Sequence, residues 1–110
     1  MSLRRVYLLL AVVGAIVPYA LFVPWLLANG LNIPLFVQNL FANNIAAFFV
    51  VDVIVSAVVL LVFIFAEGRR LGVARLWAPV LGTLLVGVSF GLPLFLYMRQ
   101  AHLDAKAPPR

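Results

Sequence analysis

The sequence predicts an all-α integral membrane protein with three transmembrane helices and a short interfacial helix between the first and second. Three observations carry that prediction. Of the 110 residues, 66% are hydrophobic and 10% are charged, and the mean hydropathy is +1.20; soluble domains carry about a quarter charged residues. No charge occurs between Arg5 and Asp52. The apolar residues gather into three runs, each long enough to cross a bilayer and each bounded by arginine. At this length the chain forms a single domain, 1–110.

The first span covers residues 6–28, VYLLLAVVGAIVPYALFVPWLLA. At helical rise it reaches about 34 Å, enough for a hydrocarbon core of about 30 Å. Arg4-Arg5 before an apolar run mimics a signal peptide. The run exceeds a signal core of about 7–15 residues, so a retained helix is expected. Residues 29–44 are polar but uncharged. There Asn32 caps a helix over 33–43, with Pro34 in its first turn. Ile33, Phe36, Val37, Leu40 and Phe41 recur at helical spacing opposite Gln38 and Asn39, the pattern of a helix lying in the outer interface.

The second span covers 46–66 and ends at Glu67-Gly68-Arg69-Arg70; the third covers 76–98 and ends at Arg99. Lipid offers the backbone no hydrogen-bond partner, so each span must be helical. The tail 100–110, with Pro108-Pro109, reads as flexible.

Orientation follows from Lys and Arg near the span ends. Arg4, Arg5, Arg69, Arg70 and Arg75 put the N-terminus and the second loop in the cytoplasm. Three spans then leave the C-terminus periplasmic, although Arg99, Lys106 and Arg110 pull the other way. Tyr7 and Trp77 serve as anchors at the cytoplasmic interface, and Trp25 and Tyr97 at the opposite one.

Chemistry inside the spans is sparse. Asp52 is their one ionisable residue with a carboxylate, and a charge at mid-membrane costs about 2.5–3.5 kcal/mol on insertion scales. By helical rise Asp52 lies about 25 Å above Arg69, with Ser56 one turn below it, and Tyr19 and Ser89 lie about 21 Å above Arg5 and Arg75. Asp52, Ser56, Tyr19 and Ser89 are therefore expected to form one polar cluster, acting as a hydrogen-bonded clasp. A proton relay would need further titratable groups leading to water, and the spans supply none.

Gly82, Thr83, Gly87 and Gly91 give the third span a small-residue face, suited to internal packing or to another protein. Pro18, Pro24 and Pro93 each remove a backbone donor; for Pro93 the carbonyl left open is that of Ser89. There is no cysteine, and the one histidine, His102, sits in the tail. Hence no catalytic, cofactor-binding or metal-ligating residue is expected, nor enzyme activity. Lipid, pigment or quinone remain as molecules the apolar exterior can touch.

The stretch from Asn29 to Gly72 resembles a family of small bacterial integral membrane proteins, domain of unknown function 2834. The residues that carry this are Gly30-Leu31, Pro34-Leu35-Phe36, Leu40-Phe41-Ala42-Asn43, Ala47-Phe48-Phe49, Val51-Asp52-Val53 with Ser56, and Glu67-Gly68-Arg69-Arg70-Leu71-Gly72. Pro18-Tyr19 and Gly91-Leu92-Pro93-Leu94-Phe95-Leu96-Tyr97 are similar too. Asn44 departs from the pattern, where the family would favour proline. The resemblance implies three helices in a bacterial inner membrane and draws attention to Asp52; it implies no activity.

The function expected is that of a non-catalytic accessory subunit. Its partners would be membrane lipids and the transmembrane subunits of a larger complex, photosynthetic or respiratory, and no nucleic acid. The competing expectation is a homo-oligomeric, proton-coupled transporter that uses Asp52.

Overall fold

The computed structural model describes residues 2–106, which form five helices: α1 (Leu3–Asn29), α2 (Ile33–Leu40), α3 (Asn44–Leu71), α4 (Trp77–Leu85) and α5 (Val88–Lys106). Local chemistry sets the ends of the first three. The Ser2 hydroxyl accepts from the Arg5 N–H at 3.3 Å, the Asn32 side chain from Leu35 N–H at 3.2 Å, and the Asn43 side chain from Ala46 N–H at 2.8 Å. Each meets a backbone donor that a helix N-terminus leaves open. Asn43 thus fixes the start of α3 without a proline at Asn44.

Two helices, α1 and α3, are long and apolar enough to cross a membrane. At 27 and 28 residues they measure about 40 Å. The expected third span is not one helix. Residues 76–98 divide into α4 and the first part of α5, and the chain reverses between them at Val86-Gly87. The amides of Val86 and Gly87 both bond the Gly82 carbonyl, at 2.9 and 3.1 Å, closing α4. Gly87 then has φ of 133°, a conformation open to glycine and strained for other residues. Its carbonyl accepts from Phe90 and Gly91, which starts α5.

The reversal makes α4 and α5 a helical hairpin with arms of 9 and 19 residues, shorter than the 27 and 28 of α1 and α3. Small residues let its arms meet: a Cβ on Gly91 would overlap the Thr83 side chain, and one on Gly82 would lie 2.7 Å from the Phe90 ring. The hairpin begins where Leu76 covers Gly68 near the end of α3, and it returns to the same place. Arg99 bonds Glu67, and His102 bonds the Leu71 carbonyl. The far end of α5 therefore lies beside the start of α4, on the side of the molecule where α1 begins. The end of α5 at Lys106 thus lies on the side where α1 begins, whereas three spans would carry it to the opposite side. The flexible tail expected from residue 100 is helical through Lys106; Pro108, Pro109 and Arg110 lie outside the described residues.

The hairpin is also what joins the long helices. Cα atoms of α1 and α3 never come within 8 Å of each other, whereas α5 packs on both. Buried Leu60 and Ile64 of α3 meet Phe95 of α5, with Leu76, Val80 and Val88 around them. On its other side α5 crosses α1 at Gly14, where a Cβ would overlap the Ser89 carbonyl.

Two outcomes follow from this arrangement. The chain has no native cysteine, so Ala74→Cys and Ala105→Cys should react with an impermeant thiol reagent from one side of the membrane, and Asn39→Cys from the other. Labelling of Ala105→Cys from the Asn39 side would contradict the hairpin. Gly14→Val should destabilise the fold by about 1–3 kcal/mol through overpacking, read as a lowered thermal midpoint in detergent.

Candidate functional site

The polar groups in the interior are organised around backbone carbonyls rather than around one another. Proline at position 18 removes the N–H that would bond the Gly14 carbonyl, and proline at 93 does the same to Ser89. These two positions form the α1–α5 crossing. The Ser89 hydroxyl donates to the Gly14 carbonyl at 2.8 Å, and the bare Cα of Gly14 abuts the Ser89 carbonyl. Each helix thus covers, in the other, a carbonyl opened by a proline one turn on.

The same rule holds elsewhere. The Tyr19 hydroxyl donates to the carbonyl of Leu85, the last residue of α4, where no further turn supplies a donor. Thr83, buried at 4% exposure, donates to the Pro79 carbonyl at 2.8 Å. His102 lies 2.7 Å from the carbonyl of Leu71, the last residue of α3. At this end Glu67 bridges two arginines: Oε1 is 2.6 Å from Nε of Arg70, and Oε2 is 2.9 Å from Nε of Arg99. Arg99 thereby ties the return arm of the hairpin to α3.

The expected four-membered cluster is therefore divided. Tyr19 and Ser89 both hold the hairpin to α1, through separate carbonyls. Ser56 faces an apolar cleft of about 420 Å³ shared with Val59, Val88 and Leu92. Asp52 stands apart: it is exposed, its surroundings (Ala47, Phe48, Val51, Val55) all belong to α3, and its carboxyl has no hydrogen-bond partner among the described residues. No residue of the hairpin is among those surroundings.

Of the small residues, Gly82, Thr83 and Gly91 are buried between the hairpin arms, and Gly87 makes the turn. Among the aromatic anchors, Tyr7 and Trp77 lie toward the arginine-bearing end. Tyr97 lies there too, two residues before Arg99, and not at the opposite end as expected. Trp25 stacks on Phe22 at 6.0 Å, and both meet Phe36 of α2 edge-on at 5.6 and 5.7 Å. Below them Pro18, Tyr19, Phe22, Phe36, Leu85 and Val86 line a cleft of about 280 Å³ above the hairpin tip.

A family model described as protein of unknown function DUF2834 matches residues 6–101. The chain belongs to that family. The match runs from the first turn of α1 to the last turns of α5, so it takes in the whole hairpin of this DUF2834 protein. No curated protein and no solved structure matches it.

Sequence reasoning missed Gly14, Glu67 and His102 as contributors. The signal for Gly14 was present: it stands four residues before Pro18, as Ser89 stands four before Pro93. Among the described residues no three His, Cys, Asp or Glu side chains come together.

Substitutions separate the two groups of polar residues. Tyr19→Phe and Ser89→Ala should each lower stability by about 0.6–2 kcal/mol in unfolding titrations, the range for interhelical hydrogen bonds. Asp52→Asn should leave the stability of the isolated chain within about 0.5 kcal/mol of the parent.

Proposed function

We propose that this protein is a non-catalytic accessory subunit that packs its helices against a larger membrane assembly. The observation that carries this is the division of labour among its side chains. Tyr19, Ser89 and His102 are spent on carbonyls of the chain itself, and Arg99 on the Glu67 bridge. What faces outward is apolar: only 6% and 11% of the most hydrophobic stretches of α1 and α3 are buried. Leu21, Leu27, Val59 and Val62 are among the large side chains left more than half exposed. Such a surface suits acyl chains, a pigment, a quinone or neighbouring helices, and energy-transducing complexes, respiratory or photosynthetic, are natural hosts by analogy.

In this proposal the protein sits in a bacterial inner membrane with its basic end in the cytoplasm. The hairpin supports that placement. With α5 returned to the start of α4, Arg4, Arg5, Arg69, Arg70, Arg75, Arg99 and Lys106 all lie toward one end of the molecule. Basic residues at one end are what the positive-inside bias selects, and Arg99 no longer opposes it. The hairpin enters and leaves through the cytoplasmic leaflet, and α2 lies in the outer interface with Phe36 turned to α1.

Mild solubilisation of native membranes, followed by mass spectrometry of what migrates with the protein, tests the proposal. Recovery in stoichiometric amounts with subunits of one larger complex is the expected result. Recovery with no other membrane protein would contradict it.

A further inference from the structure

The cleft that Ser56 faces is a groove with two walls, Val55, Val59 and Phe63 on α3 and Val88 and Leu92 on α5. Val55, Val59, Phe63 and Leu92 are 36–62% exposed, so the groove is open along its length. At its end nearer the arginines, Phe63 meets Phe95 edge-on at 5.5 Å. Both walls then continue into an arginine. Glu67 and Arg70 stand four and seven residues beyond Phe63, and Arg99 stands seven beyond Leu92. Each therefore lies one or two turns farther along the same face of its helix. There Nε of Arg70 and Nε of Arg99 donate to the two oxygens of Glu67, at 2.6 and 2.9 Å, and join the walls. A guanidinium carries five N–H donors, and the bridge takes one from each. The terminal nitrogens of both arginines have no hydrogen bond to the protein among the described residues.

We propose that this groove binds one anionic phospholipid, with an acyl chain in the cleft and the phosphate on the terminal nitrogens of Arg70 and Arg99. The lengths agree. Fifteen residues separate Val55 from Arg70, about 22 Å at helical rise. A phospholipid with its headgroup spans half a bilayer, about 20–22 Å. The chemistry changes along the groove as it does along the lipid, apolar from Val55 to Phe63 and cationic at Arg70 and Arg99. A planar guanidinium also matches phosphate oxygens in pairs. Charge selects the headgroup: two guanidiniums against one carboxylate leave the site positive, which attracts a net negative headgroup and gains nothing from an ammonium. The inference goes beyond the accessory role, since it concerns a lipid ligand of the chain itself and does not rest on any host complex.

The test titrates the purified full chain, in mild detergent, with phosphatidylglycerol or phosphatidylcholine of identical acyl chains, and native mass spectrometry counts one-to-one adducts. The parent should bind phosphatidylglycerol roughly five- to twenty-five-fold more tightly, the share of one to two arginines. Arg70→Gln should lower that preference about five-fold. Arg4→Gln, on α1 and outside the groove, should change it by less than about two-fold. Val59→Trp, which fills the cleft, should weaken binding of both lipids by roughly four-fold for each methylene displaced. Arg99 still bridges to Glu67 in the glutamine variant at Arg70, so unchanged helical circular dichroism is expected and serves as the control. Excess inorganic phosphate should leave the adduct in place. Equal binding of the two lipids, an equal loss from Arg4→Gln and Arg70→Gln, indifference to Val59→Trp, or displacement by inorganic phosphate would each overturn the proposal.

Discussion

In an apolar surrounding every carbonyl that a helix cannot bond internally must find a donor elsewhere, and this fold is organised by meeting that demand. Prolines at 18 and 93 and the ends of α3 and α4 open the carbonyls of Gly14, Ser89, Leu71 and Leu85. Ser89, His102 and Tyr19 donate to three of them; the fourth, the Ser89 carbonyl, is packed against the bare Cα of Gly14 and has only that contact across the crossing. The same contacts determine which helices touch. The Gly14–Ser89 crossing joins α1 to α5, Tyr19 holds the tip of α4, and His102 with Glu67 and Arg99 fixes the far end of α5 on α3. Apolar burial adds little discrimination, since a helix face rich in leucine and valine is equally content against lipid.

The short hairpin has consequences at both ends of the molecule. Toward the basic end it separates α1 from α3 and supplies the small core around Ile64 and Phe95. At the other end α2 lies next to α3 and meets α1 through the aromatic stack of Phe22, Trp25 and Phe36. Asp52 lies away from the Leu60 and Ile64 face of α3 that meets the hairpin, and only α3 residues surround it.

The sequence discloses α1 and α3 as elements, because uncharged runs are local signals. It places the end of α3 at 66, whereas the helix runs on to Leu71 and stops at the left-handed Gly72. The reversal in α4–α5 is not disclosed in that way. Hydropathy is indifferent to direction, so LWAPVLGTLLVGVSFGLPLFLYM scores alike as one span or as two folded arms. Grouping Asp52, Ser56, Tyr19 and Ser89 by depth does not yield one cluster; Tyr19 and Ser89 both hold the hairpin to α1, through separate carbonyls. It failed for Asp52 because depth along a helix says nothing about which face is covered. The discordant feature was Arg99, a basic residue on the wrong side of a three-span arrangement; with the hairpin it joins the other arginines. Membership of the DUF2834 family agreed with the motifs between Asn29 and Gly72.

The chain bonds its own opened carbonyls and leaves its flanks apolar, and the accessory role proposed above rests on that division. That account depends on the chain reversing at Gly87. The distance between nitroxide labels at Ala78 and Ala101, measured by pulsed electron resonance in lipid bilayers, tests it most directly. Adjacent arms place the two labels within about 20 Å, since packed helices lie about 8–10 Å apart. A single continuous span would hold them about 35 Å apart, and that value would contradict the fold described.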